Sequence, residues 1–189
     1  MKVGLFEKLI NTLAVGAALL LCACAGYQPI AQSVHPARAS LTACVIGGLG
    51  YPITSPVHGI SEDLRASGIK VVEGGPGDWP TISSCDIIVG HSLGVDAAFK
   101  APAGKRLIIS IDAFTYSGCP AGATVVDIHN TNHSFPTTGP LACAQRTIGI
   151  DSGFGLVGHI GAPIAARPLV VQIVDEYLAT SNSPGQSTK

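Results

Sequence analysis

The chain has 189 residues, of which 47% are hydrophobic and 12% are charged, and its formal net charge is −1. This length and balance predict a single compact domain with a buried sheet, and they disfavour an intrinsically disordered chain. Because the charges include no basic cluster, they also disfavour a protein that binds the phosphate backbone of nucleic acid.

The first 25 residues are predicted to form a signal peptide. Lys2 and Lys8 flank the start, and residues 9–23 are almost wholly apolar. This run is short for a bilayer span, so we expect a targeting segment that directs export rather than a transmembrane helix. Residues 26–42 are polar, contain proline and lack periodicity, which predicts a tether before the folded domain.

Two interpretations of the end of the signal peptide stay open. Leu21-Cys22-Ala23-Cys24 resembles a bacterial lipobox, in which Cys24 would carry a lipid and anchor the protein to a membrane. Ala23-Cys24-Ala25 fits ordinary signal cleavage equally well and would release a soluble protein. Both interpretations predict an exported protein that is either periplasmic or an envelope-anchored lipoprotein.

Residues 43–180 alternate between short apolar runs and helical patterns. Strands are expected at Ala43–Gly48, Ile69–Glu73, Cys85–Val89, Leu107–Ile111 and Thr124–Ile128. Helices are expected at Ser61–Gly68, Gly94–Lys100 and Leu169–Leu178, and residues 181–189 are expected to form a flexible tail. This alternation predicts an α/β fold, with a mostly parallel sheet and helices on both faces. Its ligands should bind beyond the carboxyl ends of the strands.

Four cysteines follow the signal peptide, and an even number in an exported chain favours disulfides. They permit three pairings. Cys44 and Cys85 each open an apolar run, and neighbouring parallel strands would bring them level, so we favour Cys44–Cys85 with Cys119–Cys143. A zinc site is the alternative, but no Cys-x-x-Cys spacing supports it.

The segment Gly90-His91-Ser92-Leu93-Gly94 fits the Gly-x-Ser-x-Gly motif, in which a strained turn between a strand and a helix presents a nucleophilic serine. Here the motif follows an apolar run and precedes a helical pattern. This context favours Ser92 as a nucleophile over a surface serine in a glycine-rich turn.

With this motif the chain resembles the α/β-hydrolase superfamily, in particular small lipase- or thioesterase-like bacterial serine hydrolases with Gly-His-Ser-Leu-Gly after a strand. The resemblance covers roughly residues 43–179. It implies a minimal α/β-hydrolase fold, no cofactor, and a catalytic triad in the chain order Ser, acid, His.

Two acidic residues after Ser92 fit the acid of that triad. Asp112 closes the predicted strand Leu107–Ile111 and can point beyond the sheet edge, whereas Asp127 lies inside the next strand. Familiar members of the family take the acid from the later strand, and some thioesterases and lipases take it from the earlier one. We favour Asp112 and keep Asp127 as the alternative acid.

The resemblance places the catalytic base at His159, on a loop just before the last helix. His129 and His133 are the other histidines after the nucleophile. Their i,i+4 spacing allows a metal pair, but such a pair outside a helix is more often solvated, so no metal is expected. His91, the variable residue of the motif, is expected to pack beside the site.

The oxyanion of an acyl-transfer reaction needs two backbone N–H donors. One should come from Leu93, directly after the nucleophile, and the other from Leu49 in the glycine-rich loop after the first strand. The resulting hypothesis is an exported serine hydrolase that cleaves a carboxylic ester or thioester. Because little chain is left for a lid, a small or exposed ester is the expected substrate. An amidase or peptidase with the same triad, and a non-catalytic envelope lipoprotein that binds a ligand or partner, stay open as alternatives.

Overall fold

A computed structural model of the chain describes residues 36–49, 55–78, 84–132, 137 and 139–181. The signal peptide with Cys24, the first part of the tether, His133 and residues 182–189 lie outside these ranges and stay predictions.

Six parallel strands form one sheet in the order β2-β1-β3-β4-β5-β6. The prediction of an α/β fold with a parallel sheet is therefore confirmed. Most strands are buried apolar runs, as expected for a sheet that is covered on both faces. Their bounds are β1 Thr42–Ile46, β2 Lys70–Gly74, β3 Ile87–His91, β4 Leu107–Ile111, β5 Thr124–Asn130 and β6 Arg146–Ile150.

In the described residues, three α-helices cover the sheet: α1 His58–Ala66, α2 Leu93–Phe99 and α3 Gly155–Ser181. Helices α1 and α3 pack on one face of the sheet and form one apolar core with it. Helix α2 packs on the opposite face and belongs to a second core. The carboxyl ends of β3, β4 and β5 lie next to one another, since these strands are neighbours in the sheet. Side chains that follow these strands therefore meet at one edge.

The last helix is much longer than predicted. It begins at Gly155 rather than Leu169, because Pro163 and Pro168 lie inside the helix instead of ending it. Packing overrides these breakers, since buried small residues such as Ala162 and Ala166 let the helix lie close to the sheet. The helix is long and apolar enough to cross a membrane, but half of its most apolar stretch is buried within the fold, as in a core helix.

Strand β6 was not predicted. It is mostly exposed, and its sequence Arg-Thr-Ile-Gly-Ile lacks the continuous apolar run that marks the inner strands. Its parallel pairing with β5 defines it instead.

The amino-terminal boundary also differs from the prediction, because the end of the expected tether belongs to the fold. Pro36–Ser40 forms a 3₁₀ helix, and the buried Arg38 donates hydrogen bonds to the carbonyl of Ser67 and the carboxylate of Asp175. The described part of the domain therefore starts at Pro36 rather than at residue 43.

A partly buried ion pair, in which Asp63 is the buried partner, joins α1 to α3. Arg167 donates two hydrogen bonds of 2.9 Å to the carboxylate of Asp63. Gly59 makes room for this contact, since a Cβ there would lie 2.9 Å from the guanidinium. This pair holds the long helix that also carries His159.

Both favoured disulfides are present. Cys44 bonds to Cys85, and Cys119 bonds to Cys143, with a Cα–Cα distance of 5.8 Å in each case. The first pair forms because β1 and β3 are neighbours in the sheet. Disulfides persist in oxidising compartments, so these bonds are weak support for a location outside the cytoplasm.

Candidate active site

Ser92 lies in a strained turn between β3 and α2. Its backbone has φ 57° and ψ −123°, a conformation that costs a non-glycine residue about 1–3 kcal/mol. The motif glycines permit this turn, because a Cβ on Gly90 would lie 2.8 Å from the carbonyl oxygen of Gly94. A Cβ on Gly94 would lie 2.4 Å from the carbonyl oxygen of Ile46. Neither position can carry a side chain without moving the backbone.

A continuous hydrogen-bonded chain links Ser92, His159 and Asp112. The Ser92 Oγ lies 2.9 Å from Nε2 of His159, and Nδ1 of the same ring lies 2.7 Å from Oδ2 of Asp112. A carboxylate only accepts hydrogen bonds, so Nδ1 carries the proton of the neutral ring. Nε2 is then the acceptor, and the serine hydroxyl donates to it. All three side chains are buried.

His159 belongs to the second turn of α3 rather than to a loop. The expectation of a loop before the final helix was wrong, because α3 starts at Gly155. The contact with Ser92 is made all the same, because the start of this helix lies above the carboxyl ends of the strands.

The carboxylate of Asp112 is fixed by two strands. This residue directly follows β4 with φ 45°, and its N–H donates to the carbonyl of Ile128 at 2.8 Å. Its Oδ1 accepts the backbone N–H of Asn130 at 3.2 Å, which leaves Oδ2 for His159. The two oxygens therefore have different donors, and the carboxylate cannot turn freely.

Asp127, the alternative acid, is held elsewhere. It lies inside β5, opposite Ser110 of β4, and is fully buried. Its Oδ1 accepts the Ser110 hydroxyl at 2.8 Å, and its Oδ2 accepts the N–H of Leu141 at 3.1 Å. Burial raises the pKa of this carboxyl above its usual value. Of the two candidate acids, Asp112 is the one that contacts His159.

His129, like Asp127, lies inside β5 and is buried. Its Nδ1 lies 3.7 Å from Oδ2 of Asp127, and the side chain is almost completely buried. Within the described part of the chain, no three His, Cys, Asp or Glu side chains are arranged to hold a metal ion.

A cavity of about 170 Å³ opens in front of Ser92. Gly48 brings the loop after β1 against Ser92, since a Cβ there would lie 2.8 Å from the Ser92 Cβ. The two residues predicted to supply oxyanion donors both line this cavity. Its lining consists of Gly48, Leu49, Pro56, His91, Ser92, Leu93, Phe114, Leu156, His159 and Ile160.

Two of the side chains that line the cavity are apolar and largely exposed. Leu49 is 82% exposed, and Leu156 at the start of α3 is 55% exposed. Phe154 and Val157 beside Leu156 are also exposed. The entrance thus presents apolar surface to whatever approaches Ser92.

Asn130 is a site residue that the sequence analysis missed. Besides its backbone bond to Asp112, its side chain donates to the carbonyl of Gly153 at 3.0 Å and accepts the N–H of Ser152. It thereby connects Asp112 to the loop that leads into α3. The available signal was its position, since a polar residue that ends an apolar strand lies at the binding edge of a parallel sheet.

Comparison of the chain with protein-family models, with curated proteins and with solved structures gives no significant match.

Proposed function

We propose that this protein is an exported serine hydrolase that cleaves a carboxylic ester or thioester through an acyl-enzyme on Ser92. One observation carries the proposal: the strained Ser92 lies at one end of a hydrogen-bonded chain through His159 to Asp112, with distances of 2.9 and 2.7 Å. A serine that only forms part of a surface turn needs neither a neutral imidazole as a hydrogen-bond acceptor nor a strained backbone.

In the first half of the reaction, the Ser92 Oγ attacks the carbonyl carbon of the substrate. Its proton passes to Nε2 of His159, and the carbonyl oxygen becomes an oxyanion. Asp112 stabilises the imidazolium and keeps the proton on Nδ1, without becoming protonated itself. When the tetrahedral intermediate collapses, Nε2 gives its proton to the departing alcohol or thiol, and an acyl group stays on the serine.

The oxyanion would be held by backbone donors in the cavity. Leu93 is the first residue of α2, where helix geometry provides no partner for the N–H. Leu49 is the second proposed donor, on the loop that approaches Ser92 through Gly48. Losing one such donor typically costs about 3 kcal/mol of transition-state stabilisation.

Deacylation repeats these steps with water as the nucleophile. Nε2 of His159 removes a proton from a water molecule, the hydroxide adds to the acyl carbon, and the serine oxygen leaves with the proton from the imidazolium. The carboxylic acid is released and Ser92 returns to its starting state. The sum of both halves is hydrolysis, and no cofactor takes part.

The size of the cavity favours a small ester as the substrate over an ester with a long acyl chain. Its volume of about 170 Å³ accommodates a short acyl group, and side chains such as Leu49, Phe114 and Ile160 give it an apolar wall. The two disulfides agree with an extracytoplasmic site of action, which argues against coenzyme A thioesters as substrates. A minimal α/β-hydrolase fold and a cleaved signal peptide belong to the same proposal. A lipid on Cys24 and ordinary cleavage without a lipid are its two alternative forms.

Labelling with a fluorophosphonate probe tests the proposal. The folded wild-type protein should be labelled on Ser92, and Ser92→Ala should not be labelled. Absence of label on the folded wild type would favour a non-catalytic envelope protein. With a labelled protein, parallel assays on p-nitrophenyl esters and aminoacyl anilides separate an esterase from an amidase or peptidase.

A further inference from the structure

His91 contacts the backbone of the proposed base. Its ring lies beside that of His159, with centroids 4.8 Å apart and planes inclined by 34°. Its Nε2 lies 3.0 Å from the carbonyl oxygen of His159. Because a carbonyl oxygen only accepts hydrogen bonds, Nε2 carries the proton of His91 and donates it.

The sequence of α3 explains why this carbonyl is available to a side chain. In a regular α-helix, the carbonyl of residue 159 accepts the N–H of residue 163. Residue 163 is a proline, which has no N–H and whose ring presses against that same carbonyl. The helical donor is therefore missing at the turn that carries His159, and His91 supplies a donor from the end of β3.

The electrostatics of His91 suit this position. Its Nδ1 is buried and makes no hydrogen bond within the described part of the chain. Burial, and next the repulsion from His159, lower the pKa of His91 to about 4. The ring is therefore neutral near neutral pH, and it can lie against an imidazolium on His159 without a like-charge contact.

We propose that His91 is a positioning residue for the base, and that its hydrogen bond to the His159 carbonyl compensates for the donor that Pro163 removes. The inference rests on the proposed function of Ser92. The bond joins the residue before the nucleophile to the backbone of the base, across two different elements. It holds His159 Nε2 at 2.9 Å from the Ser92 Oγ near the start of the helix, and helix ends are the parts that fray.

A double-mutant cycle between positions 91 and 163 tests the inference. His91→Leu should lower kcat on a short ester about 10- to 100-fold with KM little changed, as expected for a base displaced by a fraction of an ångström to an ångström. His91→Gln should keep most of the wild-type kcat, because its amide N–H can replace the Nε2–H donor. A purely apolar packing role would not distinguish these variants in this way.

The proline supplies the second arm of the cycle. Pro163→Ala restores a backbone N–H that can bond the His159 carbonyl, so His91→Leu should cost much less in this background than in the wild type. Pro168→Ala is the matched control, because it repairs the same helix one turn later and leaves the His159 carbonyl untouched. In that background His91→Leu should retain its full cost.

Equal losses from His91→Leu in all three backgrounds would overturn the inference, as would an unchanged kcat in the wild-type background. Should the leucine variant fail to fold, His91→Met provides an apolar side chain without a donor. Thermal unfolding of each variant shows whether a loss of kcat reflects unfolding.

A spectroscopic measurement separates this inference from the proposed function. The Nδ1–H proton of His159, bonded to Asp112, should give a downfield proton resonance that persists in His91→Gln and broadens or disappears in His91→Leu. A fluorophosphonate probe that fails to label the wild type would refute the proposed function, and this resonance would still test the positioning contact. An identical resonance in the wild type and His91→Leu would refute the contact's role even in a fully labelled enzyme.

Discussion

Replacing Asp112 with asparagine preserves the shape of the side chain and removes its charge. In the structure, Oδ1 accepts the N–H of Asn130 at 3.2 Å, and Oδ2 accepts Nδ1–H of His159 at 2.7 Å. Both carboxylate oxygens therefore face donors. An amide has one oxygen and one NH₂ group, so it can match only one of these donors at a time.

The backbone donor determines how the amide turns. If the amide oxygen faces Asn130, its NH₂ group faces His159, and the imidazole must carry its proton on Nε2. That tautomer cannot accept the proton of Ser92, and such a loss costs about 10⁴-fold in kcat. In the reverse orientation the NH₂ group faces the N–H of Asn130, so two buried donors meet without an acceptor. This costs about 3 kcal/mol, which alone corresponds to a loss in kcat of about 100-fold. We expect a loss between these two values.

The assay is the burst of p-nitrophenol from a short p-nitrophenyl ester at neutral pH. Asp127→Asn is the matched control: its amide oxygen can keep the bond from Leu141, and the Ser110 hydroxyl can reverse and accept from the NH₂ group. This control should retain most of the activity. A severe loss in Asp127→Asn with a mild one in Asp112→Asn would refute the assignment of the acid.

Three other predictions concern the surroundings of the site. Gly48→Ala should lower kcat/KM about 100-fold while the fold survives, because the added Cβ displaces Ser92. Gly77→Ala is the control: no atom lies close to the added Cβ, so kcat/KM should not change. Arg167→Leu should lower the free energy of unfolding by about 3 kcal/mol in urea titrations, because Asp63 stays buried without its ion pair; a loss below about 1 kcal/mol would contradict this. Burial and the repulsion from His159 lower the pKa of His91 from 6.5 to about 4 in the folded protein. The His91 ring therefore binds a second proton more readily in the unfolded chain than in the folded protein. The wild type should therefore lose about 3 kcal/mol of stability relative to His91→Gln as pH falls from 6.5 to 4, and parallel stability curves would contradict it.

The inner sheet and the serine turn could be predicted because their signals are local. Buried parallel strands read as continuous apolar runs, and β4 was predicted with its observed bounds. The turn at Ser92 was marked by Gly90 and Gly94. A Cβ at either position would lie under 3 Å from neighbouring backbone atoms. The first disulfide was predicted because Cys44 and Cys85 each open an apolar run, and it forms because β1 and β3 are neighbours in the sheet.

The remaining features depend on contacts between distant parts of the chain. The start of α3 was missed because Pro163 and Pro168 are strong local stop signals, and only packing against the sheet overrides them. Strand β6 is defined by its partner rather than by its own apolar pattern. The bond from His91 to the His159 carbonyl joins residues 68 positions apart, so no local pattern reveals it.

Trapping the acyl-enzyme is the direct test of Ser92 as the nucleophile. The folded wild-type protein is mixed with excess short ester, quenched in acid within the burst, digested and examined by mass spectrometry. We expect one acyl group on the peptide that contains Ser92, no adduct on that peptide in Ser92→Ala, and a strongly reduced rate of its formation in His159→Ala. Ester turnover that survives in Ser92→Ala, or an acyl group located on another residue, would contradict an acyl-enzyme on Ser92.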